Sequence, residues 1–120
     1  MKILLVNKYH YVKGGSETYY FGLANLLQAH GHEVIYFAMA DENNRPCEQA
    51  KYFVSNADFN GNISTMQKVT AGFRVLYSFE AKKCISALIE QERPDIVHIN
   101  LVHRHITLSI VRAIRKYNIP

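Results

Sequence analysis

Cysteine is scarce in this chain: two occur in 120 residues, Cys47 and Cys84, far apart and outside any C-x-x-C pattern. Neither a disulfide framework nor a zinc knuckle can be built from such a pair, and the simplest reading is two free thiols in a reducing compartment. Long apolar runs are absent as well. No stretch approaches the roughly 18 apolar residues of a membrane span. Met1-Lys2 leads straight into Ile3-Leu4-Leu5-Val6, too short for a signal h-region and with no small-residue cleavage site behind it. A cytoplasmic protein is expected. Charge of one sign does not dominate: 14 Lys/Arg against 10 Asp/Glu give +4, too mild for a dedicated nucleic-acid binder. With 48% hydrophobic and 20% charged residues, collagen-like and disordered chains are excluded. There is no G-x-G-x-x-G and no Gly-Lys-Ser/Thr, which removes the standard dinucleotide fingerprint and the P-loop. The length is one domain's worth, so of a two-domain enzyme this chain is only a piece.

What is present is alternation. KILLVN, residues 2–7, is a continuous apolar run closed by a polar residue, as in a strand buried on both faces of a parallel sheet. A loop ending in Gly14-Gly15 follows, with Ser16 placed as a helix N-cap. Apolar residues then recur at Tyr20, Leu23, Ala24 and Leu27 with helical spacing, and Gly31 stands at C′. HEVIYFAM, residues 32–39, is a second buried strand, completing a βαβ unit. Residues 41–65 read as a long surface excursion around one short strand, Tyr52 to Val54. Residues 66–92 carry a helical pattern through Met66, Val69, Phe73, Leu76, Tyr77, Cys84, Leu88 and Ile89, stopped by Arg93-Pro94. DIVHIN, residues 95–100, is the fourth strand, and a helix follows with Ile110, Val111, Ile114 and Tyr117 on one face. A next strand is expected to begin at Asn118-Ile119-Pro120. Strands alternating with helices predict an α/β, Rossmann-like three-layer domain with a parallel sheet. Right-handed crossovers predict strand order 3-2-1-4, with the outer edge of the fourth strand uncovered.

Ligands of open α/β sheets bind at the carboxyl ends of the strands, where the strand order reverses. Two features converge there. Gly14-Gly15-Ser16 opens the first helix, where free N–H groups suit an anion. His98, Asn100, His103 and His105 gather at the end of the fourth strand, with His98 and Asn100 on one strand face. The plainer readings are a simple strand-to-helix turn and a hydrogen-bonded core histidine. Glu17 lies in the first helical turn, where interaction with the helix dipole is explanation enough, so it is expected as a site-wall residue at most. Tyr9, Tyr11, Tyr19 and Tyr20 around the turn suit either stacking on a sugar or base, or wall packing. His98, His103 and His105 could supply three nitrogens, but no acid accompanies them, and no metal is expected. Lys82-Lys83, Arg112, Arg115 and Lys116 read first as solvated helix faces and second as contacts to anionic lipid.

KILLVN, then GGSET, then LANLLQAHGHEVIYFA resembles the start of a family 4 glycosyltransferase, and RPDIVHINLVHRHITLSIVRAIRKYNIP resembles the later part of the same amino-terminal domain. The resemblance implies half of a GT-B architecture, with residues 1–120 as a single, incomplete, acceptor-side domain. It implies retaining transfer of a sugar from a nucleotide-sugar to an acceptor, in glycan or cell-surface polysaccharide synthesis. It implies that Gly14, Gly15 and Ser16 face the donor diphosphate and that His98 is the catalytic-site histidine beside the transferred sugar. Glu17, Tyr9, Asn100 and His103 would then line the acceptor side or the site wall. Asn100 stands where many members carry a second histidine. The nucleotide-sugar is a co-substrate, and no cofactor or metal is implied.

Further expectations go with it. The partners are the nucleotide-sugar, a sugar or lipid-linked acceptor and a carboxy-terminal donor domain, but no nucleic acid. Peripheral contact at the inner face of the membrane and a homodimer through the exposed sheet edge are additional expectations. The isolated 120-residue chain is expected to be inactive as a transferase. The alternative is a stand-alone Rossmann-like module that binds an anionic, phosphate-bearing ligand without catalysis. A third reading is a split enzyme that works with a separately encoded donor domain.

Overall fold

In the computed structural model, which describes residues 1–54, 79–101 and 104–120, the opening apolar run is strand β1, Lys2–Asn7. Successive side chains alternate between two cores. Leu4 and Val6 enter one cluster and Ile3 and Leu5 the other. Burial on both faces is what an uninterrupted apolar run encodes, and it makes β1 the centre of the sheet. Strand β2 (Glu33–Phe37) pairs parallel to it on one side and β3 (Ile96–Leu101) on the other, giving the order β2-β1-β3.

β3 is the fourth strand of the sequence reading. The third takes its expected place beside β2 but not its expected form. Val54 makes an isolated parallel bridge to Met39, with the Ala40 N–H donating to the Val54 carbonyl at 2.7 Å. Before it, Glu48–Tyr52 is a short 3-10 turn, so Tyr52 is not extended.

Helix α1, Gly15–Ala29, covers one face of the sheet and buries Tyr20, Phe21 and Ala24 against Ile3, Leu5 and Val34. Its N-cap is Gly14 in extended backbone, not Ser16, which lies inside the first turn. The Thr18 N–H and hydroxyl both donate to the Gly14 carbonyl at 3.2 Å. Gly31 has φ +85 and ends the helix as a left-handed C′ residue does.

The other face is covered by α2, helical over residues 79–92, and by α3, Arg104–Lys116. Ala81, Ile85, Leu88 and Ile89 recur at three- and four-residue steps and meet Ile110, Ala113 and Ile114 over Leu4, Val6, Ile35 and Phe37. Met66, Val69, Phe73, Leu76 and Tyr77 lie outside the described residues. Helix α2 stops where expected: Arg93 has φ 48 and its N–H reaches the Ile89 carbonyl at 2.8 Å, with Pro94 next. Lys2 Nζ also caps α2, donating to the Glu92 carbonyl at 2.9 Å. Cys47 and Cys84 are free, half-buried thiols, both pushed up in pKa by burial. Beyond α3, the Pro120 carbonyl accepts from the Val97 N–H at 2.9 Å and lies along the outer edge of β3. The result is a Rossmann-like three-layer α/β arrangement. Among the described residues, no helix is long and apolar enough to cross a membrane.

Candidate functional site at the ends of β1 and β3

The carboxyl ends of β1 and β3 meet the first turn of α1 through a set of polar side chains. Asn7, the polar residue that closes β1, is 1% exposed, and Glu17, from α1, is 3% exposed. Buried polar groups require partners, and here they supply each other. Asn7 Nδ2 donates to Glu17 Oε2 at 3.1 Å and to the Tyr9 carbonyl at 2.7 Å. The Ser16 hydroxyl donates to the same Glu17 oxygen. Asn100 Nδ2, from β3, donates to Asn7 Oδ1 and to the Ser16 carbonyl, each at 3.1 Å. One carboxylate and two amides thus tie two strand ends to the helix start.

A break in the ladder aims Asn100 there. Val6 pairs with Ile99 but Asn7 with Leu101, so the register shifts and Asn100 has no residue opposite it. A bulge of this kind re-aims a side chain, which is why bulges gather beside functional sites. Val97 and Ile99 pack on the α2/α3 core, whereas His98 is exposed on the strand face that Asn100 shares.

The glycine turn supplies the donors. Thr18 makes the first intrahelical N–H bond of α1, so the N–H groups of Gly15, Ser16 and Glu17 precede any intrahelical acceptor. A Cβ built on Gly15 would meet nothing within 4 Å, and one on Gly14 would have only Glu17 Oε1 at 4.0 Å. The backbone of the turn is therefore open to close approach.

The loop between β1 and α1 forms the wall. Tyr9 packs edge-on against Tyr11 with ring centroids 5.4 Å apart, and Lys8 and Lys13 lie 5.0 and 4.2 Å from the Tyr9 ring centre. Lys13 donates to the Tyr9 hydroxyl at 3.1 Å. That bond is the main reason the Tyr9 pKa is lowered; burial opposes it and Lys8 adds to it. Tyr20 is core, at 1% exposure, while Tyr19 is 55% exposed, so of the four tyrosines around the turn Tyr20 belongs to wall packing. His10 is buried among Tyr20, Phe21, Tyr36 and Phe53, with Nδ1 3.1 Å from the Tyr20 hydroxyl. Burial, aided by the positive charge of Arg45, pushes its pKa down to about 4.

The structure thus brings together Ser16, Glu17 and Asn100 and places Gly14, Gly15 and Tyr9 around them. His98 is on the same strand face and makes no hydrogen bond to this set. His103 lies outside the described residues. Among the described residues, no three His, Cys, Asp or Glu side chains gather as metal ligands. Asn7 and His10 escaped the sequence reading. The signal for Asn7 was a lone polar residue closing an apolar strand; His10 stands in a tyrosine-rich loop that gave no cue to burial.

An α/β domain with a polar corner at the reversal of its strand order is of the Rossmann-like class, in which that corner is the usual place for a ligand. The chain belongs to a family that narrows this further: it is a member of glycosyltransferase family 4, whose sequence profile matches residues 13–120. It is thus a glycosyltransferase-type domain. Comparison with curated proteins and with solved structures gives no match.

Proposed function

We propose that this chain is the acceptor-side, amino-terminal domain of a retaining glycosyltransferase of the GT-B kind, acting on a nucleotide-sugar. The observation that carries the reading is the joining of the glycine turn to the β3 end through Asn7, Glu17 and Asn100. It holds the uncrowded backbone of Gly14-Gly15 beside a face bearing His98 and Asn100. The free N–H groups of the α1 start would meet charge building on the leaving diphosphate. His98 would position the transferred sugar by hydrogen bonding. The remaining donor contacts would come from a carboxy-terminal domain, the acceptor being a sugar or a lipid-linked sugar. Work at the inner face of the membrane fits the exposed Arg112, Arg115 and Lys116 of α3.

The test is a titration of the isotope-labelled chain, followed by backbone and side-chain amide shifts. Uridine diphosphate should move Gly14, Gly15 and Ser16, and its glucose conjugate should add shifts at His98 and Asn100. A stand-alone anion-binding module would respond to inorganic pyrophosphate as it does to either nucleotide, with nothing added by the sugar. That outcome would overturn the transferase reading. The isolated chain is also expected to transfer no sugar, and measurable transfer would contradict its role as one domain of a larger catalytic unit.

A further inference from the structure

The hydrogen bonds around Asn7 run in one direction, and the direction has a chemical consequence at Asn100. Three groups in the set can only accept: the Glu17 carboxylate, the Tyr9 carbonyl and the Ser16 carbonyl. Asn7 turns its amide nitrogen to Tyr9 and Glu17, which uses both hydrogens. Its Oδ1 is then an acceptor and faces Asn100. Asn100 must answer with nitrogen, and its second hydrogen goes to the Ser16 carbonyl. Both amides are therefore fixed in orientation by partners that cannot donate. What Asn100 has left is Oδ1, to which no described residue donates. Asn100 is half-buried, and the bulge has taken it out of the strand ladder.

We infer that Asn100 is a specificity-determining residue: its Oδ1 accepts a hydrogen bond from a donating group of the ligand, a hydroxyl of a sugar. The inference rests on the reading of this corner as a sugar-transferring site. It divides the corner in two. The Gly14-Gly15 side offers N–H donors and suits phosphate oxygens. The Asn100 side offers an acceptor, which repels an anion and holds a hydroxyl. Glu17 is the positioning residue behind it, since the carboxylate fixes Asn7 and Asn7 fixes Asn100.

The experiment uses the full chain and three neutral probes, the methyl α-glycosides of glucose, galactose and mannose. The one that most strongly shifts the Asn100 side-chain amide is then compared with its monodeoxy and monodeoxyfluoro analogues. Fluorine occupies the place of a hydroxyl without donating. At one ring position, both the deoxy and the fluoro compound should bind about tenfold more weakly, the size of one lost hydrogen bond. In Asn100→Ala, those two analogues should bind as well as the parent glycoside. A fluoro analogue that binds like the hydroxyl compound would overturn the inference, as would an Asn100→Ala chain, folded by circular dichroism, with undiminished discrimination. The wild-type fluoro series decides the question even if that variant does not fold. Failure of all three glycosides to reach Asn100, with the diphosphate shifts intact, sinks this inference and leaves the transferase reading standing. Hydroxyl selectivity at Asn100 without any diphosphate response would do the reverse.

Discussion

At the scale of single residues, the corner separates stability from ligand chemistry. Gly15 sits in the first turn of α1 with open space where a Cβ would project. Gly15→Ala should therefore stabilise the fold by about 0.5–1 kcal/mol, the usual helical gain, while weakening nucleoside diphosphate binding by blocking close approach; thermal melts and the amide titration read the two effects separately. His98 is exposed and pairs through its backbone with Leu5. His98→Ala should shift stability by less than about 0.5 kcal/mol and lower turnover of the active enzyme roughly 100-fold. Equal destabilisation with unchanged turnover would return His98 to a structural role. Glu17 shows what sequence could and could not give. Its place in the first helical turn was legible, and a dipole interaction was explanation enough. That it is buried depends on Asn7 and Ser16 standing within reach of its carboxylate, a meeting of separate elements that no local pattern encodes.

At the scale of elements, the strands and helices were readable because their burial is periodic. The continuous run of β1 and the three- and four-residue steps of α2 and α3 each name the faces that the structure buries. Leu88 in α2 is fully buried, and Leu88→Ala should cost about 2–5 kcal/mol in denaturant unfolding. The loop from β1 to α1 was not readable in this way. Its His10 is held by packing against rings from α1, β2 and Phe53, which are distant in sequence. Its ordinary pKa of 6.5 falls to about 4 in the fold, so the neutral form is favoured. Unfolded chains therefore bind the proton first as pH drops. The stabilisation is complete above about pH 6.5, is lost progressively toward pH 4, and amounts to on the order of 3 kcal/mol. The charged and titratable groups that act on His10 are Arg45 and the Tyr20 hydroxyl, with Tyr36 packed beside it. Urea unfolding at pH 7, 6 and 5 should show this slope, and His10→Phe should flatten it.

At the scale of the whole molecule, the sheet is well covered on β1 and thinly covered at its β3 edge. Ile96 and Leu101 are 36% and 45% exposed, and among the described residues the outer edge is engaged at Val97, by the Pro120 carbonyl. Open strand edges template pairing, so concentration-dependent association is expected in light scattering, and a monomer at high concentration would argue against it. The layer order and strand order followed from alternation and handedness alone. The register did not, because the one-residue shift beside Asn7 leaves no mark in an otherwise ordinary strand sequence. That shift has a consequence for descent. Past Val6, β3 carries one residue more than its neighbour needs, and the surplus residue is Asn100. Deleting Asn100 alone would bring Leu101 opposite Asn7 without a break, keeping the sheet while leaving the buried Asn7 Oδ1 without its donor. A single lost codon would thus mend the strand ladder and cost the fold a part-buried hydrogen bond, with the open N–H groups of the glycine turn left in place.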